Sequence, residues 1–217
     1  MKKHSITFRI TIALVIIGIF IYILYILNII PHRKYTNEDF GITTYTSTVD
    51  KDGDGIDDQT DILQNVRTYI DTEPKYKSKY YAGGYPDDGY GVCTDVVAQG
   101  LLHAGYDLQQ LVDADIAANP GMYDVEKADP NIDFRRVRNL IVYFSNHAIS
   151  LTTDISQIDQ WQGGDIIVFE KHIGIISDKR NKDGVPFMIH HANPAQRQYE
   201  EDILGYRNDI VGHFRIS

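Results

Sequence analysis

The spacing of hydrophobic positions changes three times along this chain. The first stretch, Thr11 to Ile30 (TIALVIIGIFIYILYILNII), carries no charge and is apolar on every side of a helix. Twenty residues at about 1.5 Å each match a hydrocarbon core of roughly 30 Å, so the pattern predicts a transmembrane anchor over 11–30. A cleaved signal peptide would have a shorter apolar core, roughly 7–15 residues, ending in small residues. Here the run ends in Asn-Ile-Ile-Pro-His-Arg-Lys, which favours an uncleaved anchor. Lys2, Lys3 and Arg9 precede it and Arg33 and Lys34 follow it, a slight bias toward residues 1–10 as a short cytoplasmic tail.

Residues 31–49 are polar and aperiodic and read as a stalk. Helical spacing begins after them: Ile62, Leu63, Val66 and Ile70 share one face, with Asp57 and Asp58 near the start, where carboxylates suit the helix dipole. CTDVVAQGLLHAGYDL repeats the pattern through Val96, Val97, Leu101 and Leu102, with Gly105 as a stop. Leu108 to Ala118 predicts another helix, broken by Asn119-Pro120-Gly121. Arg135 to Asn146 predicts one more, although Ile-Val-Tyr-Phe alone would also suit a strand. In the last third the pattern shortens to GDIIVFE, HIGIISD, PFMIHHA and IVGHFRI, β-branched or aromatic runs bounded by Gly, Asp and Pro. Helices followed by strands predict an α+β domain over 62–217 with an antiparallel sheet.

Charge narrows the function. Residues 35–217 hold 16 Lys and Arg against 30 Asp and Glu, a formal charge of −14. Nucleic-acid binding rests on basic patches, so no nucleic-acid partner is expected. The acids cluster in DKDGDGIDDQTD. Asp50, Asp52, Asp54, Ile56, Asp58 and Asp61 occupy positions 1, 3, 5, 7, 9 and 12 of a twelve-residue loop, with Gly55 at position 6. An EF-hand calcium loop needs that spacing: alternating carboxylates, one backbone carbonyl, a Gly at the sharp turn and an acid at the end. Position 12 is Asp rather than Glu, as in dockerin-like loops. One structural calcium ion over 50–61 is expected; the alternative is a solvated acidic turn.

Cys93 is the sole cysteine, so no internal disulfide forms. It opens a predicted helix after Gly89-Tyr90-Gly91-Val92, where the helix N-terminus lowers a thiol pKa and N–H groups can face an oxyanion. A buried, inert cysteine fits the position equally well. A nucleophile needs a base and an orienting group. His172 opens one strand-like run and His190-His191 close another; only one of that pair can face Cys93. His103, His147 and His213 lack such a setting.

The segments YYAGGYPDDGYGVCTDV, WQGGDIIVF, HIGIISD and MIHHANP resemble the NlpC-type cell-wall peptidases in order and character. GVCTDVV, DPNIDFRRVRNL, WQGGDIIVF and HIGIISD resemble, more narrowly, the bacterial domain of unknown function DUF1287, of the same papain-like superfamily. The resemblance covers roughly residues 62–217. It implies a papain-like fold with the Cys-bearing helix packed on the sheet, Cys93 as nucleophile, His172 as base and His190 as third residue. It implies Tyr80 as an active-site tyrosine and peptidoglycan stem peptides as substrate, cut outside a bacterial cell. Thr94-Asp95 in place of small residues, and Ala82 in place of an aromatic, depart from the pattern. Asp95 is either a helix cap or a contact for substrate amines. Arg135 and Arg136 either hold a substrate carboxylate or form internal salt bridges. Trp161 is either core or cleft wall. Rival functions are a non-catalytic, calcium-dependent wall-binding module, a zinc site made of Cys93, His172 and His190, and acyl transfer to a group other than water.

Overall fold

The computed structural model describes residues 2–27 and 29–216. They form two compact units, one up to Arg33 and one from Lys34 onward. In the first, helix α1 runs Lys2–Ile26. Its stretch Ile6–Ile26 is long and apolar enough to cross a membrane, a test that a signal sequence also meets. The helix ends at Ile26, four residues short of the Ile30 expected for the anchor.

The second unit is α+β. Helices α2 (Asp58–Ile70), α3 (Cys93–His103), α4 (Leu108–Ala118) and α5 (Val137–His147) precede most of the sheet. The sheet is built from β3 (Ile149–Ser150), β4 (Ile166–Phe169), β5 (His172–Arg180), β6 (Pro186–Ile189), β7 (Glu200–Glu201) and β8 (Ile210–Arg215), all antiparallel, in the order β3-β8-β4-β5-β6-β7. A small parallel pair, β1 (Lys75–Tyr76) and β2 (Tyr90–Gly91), leads into α3. The predicted helices and strands are all present. α5 starts two residues later than expected, because Asp133–Arg135 forms a separate 3-10 turn.

Local chemistry explains the boundaries. Asp57 caps α2 by accepting the Thr60 N–H, and Asp107 caps α4 by accepting those of Gln109 and Gln110. Along β4, Ile166 and Val168 join the core under the helices, whereas Ile167 and Phe169 join a second cluster with Trp161, Ile176, Met188 and Leu204. The two-residue period of a strand thus feeds two apolar layers, and β4 is apolar throughout because both faces are covered. Each such side chain contributes about 1.5–3 kcal/mol by burial. Trp161 is core, not cleft wall. Where α2 crosses α3, a Cβ on Gly100 would lie 2.3 Å from Val66 Cγ2, so glycine sets the interhelical distance.

The segment expected as a stalk is otherwise from Lys34 on. The Tyr35 N–H and C=O pair with Arg180, and the buried Asn37 receives the Arg180 Nε–H at 2.6 Å and donates to Gln162 at 2.9 Å. Its polar groups answer buried polar groups of the domain, so it is a strap on that unit.

Candidate active site

Cys93 is the first residue of α3. Asp95, two residues on, accepts the Val92 N–H at 2.8 Å and fixes the start of the helix. The Asp95 carboxylate is fully buried and takes both the Nε–H and an Nη–H of Arg135, at 2.6 and 2.9 Å. Arg135 also donates to the Lys79 carbonyl. Asp95 and Arg135 were candidate substrate contacts; the structure turns them toward each other, since two charges this deep are stable only when paired. Arg136 is partly exposed and lies 3.3 Å from Asp133. The Tyr80 ring is exposed, and its hydroxyl sits between Asn131 and Asp129.

Burial pushes the Cys93 thiol up, to about 11, while the N–H groups of Ile173, Thr94 and Cys93 pull against it. The expected lowering by the helix terminus is therefore outweighed. The Ile173 N–H places the beginning of β5 against the sulfur, and His172 is the residue before it. Burial also drives His172 down, to about 3, aided by His190 and Arg207 and opposed by Asp209. Both shifts favour a neutral thiol beside a neutral imidazole.

His190 follows the end of β6. Its Nδ1 is 2.9 Å from His172 Nε2, and its Nε2 is 2.9 Å from Glu201 Oε2. Of the two adjacent histidines it is His190 that contacts His172. Gly174 makes this approach possible: a Cβ there would lie 2.6 Å from the Ile189 carbonyl and 3.1 Å from His190 Cβ. His191 instead stacks edge-on between Tyr76 and Tyr199. Gln196 donates to Glu201 Oε2 and to the His190 carbonyl, both at 3.2 Å. Sequence reasoning missed Glu201 and Gln196; neither stands in a periodic run, and Glu201 belongs to a two-residue edge strand.

Beside this line of residues lies a cavity of about 560 Å³, walled by Tyr76, Tyr90, Tyr199, His191, Lys75 and Arg197 among others. Among the described residues, neither Lys75 nor Arg197 has an ion-pair partner. His191 Nδ1 is buried without a hydrogen-bond partner.

In the acidic loop, Asp50, Asp52 and Asp54 each bring an oxygen within 4.8 Å of the others. Asp50 accepts the N–H groups of Gly53, Asp54 and Gly55, and Gly55 takes φ 93°, which glycine alone adopts cheaply. The Asp61 carboxyl is raised by burial and by the charges of Asp52, Asp54 and Asp58, against a hydrogen bond from Asn65. Asp58 differs from the expectation: its oxygens take the Lys51 N–H and the Tyr106 hydroxyl, tying the loop to the domain. The Ile56 N–H donates to Asp54, which turns the chain at the seventh position.

No solved structure matches the chain. An Escherichia coli (strain K12) protein described as "Uncharacterized protein YijF" is 36% identical over 161 residues, covering 70% of this chain and 77% of that protein. The family described as "Domain of unknown function (DUF1287)" matches residues 63–216, which run from within α2 through β8 and hold Cys93, His172 and His190, and the chain belongs to it.

Proposed function

We propose that this chain is a membrane-anchored cysteine hydrolase with its second unit outside the cytoplasm, built on a papain-like (NlpC-type) fold and cleaving amide bonds of peptidoglycan stem peptides. The observation that carries the reading is the contact between His172 Nε2 and His190 Nδ1, with His172 next to the residue whose N–H meets the Cys93 sulfur. An inert buried cysteine needs no such pair. His172 takes the Cys93 proton on Nδ1, and the sulfur attacks the amide carbonyl. N–H groups in the first turn of α3 receive the oxyanion, the amine leaves with a proton from His172, and water hydrolyses the thioester. The neutral resting pair means the thiolate forms only as the proton moves to His172. The cavity next to His191 is where the substrate peptide lies, and α1 holds the domain near the wall.

Calcium is part of the same reading. Asp50, Asp52, Asp54 and Asp61 would hold one ion, whose two positive charges would offset half of the charge of these four acids and brace the loop against α2. Removing it with a chelator is expected to lower the melting temperature by several degrees while leaving a C93A variant equally responsive.

Incubation of the chain with purified peptidoglycan and calcium, with mass spectrometry of the released fragments beside a Cys93→Ala control, tests the reading. Cys93-dependent products support it and name the bond. No products, with a thiol that alkylates no faster than free cysteine, would replace it with a wall-binding module.

A further inference from the structure

The line of contacts behind the thiol does not stop at the second histidine. His190 lies between His172 Nε2 and Glu201 Oε2, 2.9 Å from each. A neutral imidazole has one N–H and one lone pair, and an ionised carboxylate only accepts. Glu201 therefore takes the His190 Nε2–H. That leaves a lone pair on His190 Nδ1, which requires His172 to present Nε2–H. The lone pair of His172 is then on Nδ1, as a base for the thiol must have it.

Resting on the hydrolase reading above, we propose that Glu201 is the positioning residue that sets the tautomer of both rings and balances the positive charge when His172 receives the Cys93 proton. In that step the S–H bond breaks as the His172 Nδ1–H bond forms. The electron pair stays on sulfur, and the imidazolium charge is shared along His172 and His190 toward Glu201. No other reactant enters. The placement suits the role: the Glu201 side chain is 13% exposed, β7 pairs it opposite Met188, and Gln196 holds the same carboxylate oxygen. The other charged or titratable groups acting on these rings are His191, Arg207 and Asp209, the last two paired with each other, and Cys93 meets the N–H of Ile173, the residue after His172. None of them can supply the acceptor that His190 Nε2 finds in Glu201.

Two measurements on the full chain in detergent micelles test this. The first is ¹⁵N–¹H long-range correlation on the wild type, which reads the tautomers directly. Both His172 and His190 are expected to carry the proton on Nε2. The second is the pH dependence of Cys93 alkylation by iodoacetamide in the wild type, His172→Ala and Glu201→Gln, with folding followed by circular dichroism. Proton transfer inside the pair takes no proton from solvent, so the wild-type rate is expected to be flat between about pH 5 and 9, whereas a lone thiol rises about tenfold per unit. Glu201→Gln keeps the shape and loses the charge, and is expected to lower the plateau about tenfold or more. An unchanged plateau, or a proton on His190 Nδ1, overturns the role of Glu201 and leaves the hydrolase reading standing. A wild type that rises tenfold per unit just as His172→Ala does overturns both. Should Glu201→Gln not fold, the wild-type tautomers decide alone.

Discussion

Among the described residues His147, His190 and His213 each meet a carboxylate, and the last two are held in opposite ways. His213 lies flat on Trp161, ring centroids 3.8 Å apart, with one nitrogen 2.7 Å from the Thr152 carbonyl and the other 3.0 Å from Asp165. Asp165 is saturated: Arg215 binds it twice, and Gln59 and the Gln162 N–H bind it as well. Every contact there ends on a group that cannot pass a proton on. His190 has the same kind of carboxylate at one nitrogen but a second titratable ring at the other. A histidine–carboxylate pair is thus no signature of chemistry; what differs is the group at the ring's far nitrogen, a backbone carbonyl for His213 and the His172 ring for His190, and the proposed hydrolase reading rests on that second ring.

The sharpest way to break the comparison is to remove the second ring. His172→Ala is expected to lower amide hydrolysis by about 10⁴-fold or more with little change in melting temperature, as read by product release and calorimetry. Truncating the structural carboxylate should do the reverse. Asp165→Ala leaves Arg215 and His213 without their partner and is expected to cost about 3–5 kcal/mol by urea unfolding, while the alkylation of Cys93 keeps its pH dependence. Acid separates the two regions next. Burial lowers His172 to about 3 and His191 to about 4, so below about pH 6.5 the unfolded chain binds protons that the folded chain refuses. Stability is therefore full above about pH 6.5 and falls as pH drops toward 4, by about 1.4 kcal/mol per unit for each ring. His191→Gln should remove one share of that slope in urea titrations at pH 7 and pH 5. The smallest effect belongs to the cavity: Lys75→Gln with Arg197→Gln is expected to raise KM about tenfold for a carboxylate-bearing peptide, with kcat unchanged.

Much of this was legible in the sequence for a local reason. Val96, Val97, Leu101 and Leu102 repeat at helical spacing, and Gly, Pro and Asp punctuate the strands, so each element announces itself within a few residues. Cys93, His172 and His190 stand out as candidates because each sits at or next to the end of such an element. What escaped depends on partners far along the chain. Asp95 reads as either a cap or a substrate contact, and Arg135 as either a salt-bridge partner or a substrate contact, until the fold brings them together across 40 positions. Residues 31–49 read as a stalk because polar composition looks solvated, whereas Asn37 within them meets Arg180 from 143 positions away. Glu201 lies in a two-residue strand that has no period to detect.

The buried pair Asp95–Arg135 has a consequence for how this protein can change over generations. Losing either partner alone strands a charge in the interior, at about 3–5 kcal/mol, against a whole folding margin of about 5–15 kcal/mol. The route from this pair to any other runs through a valley that a single substitution cannot cross cheaply. The two positions should covary among relatives, keeping both charges or exchanging both for a packed apolar pair, and the residue two places after Cys93 should record the family's ancestry rather than any later change at the surface.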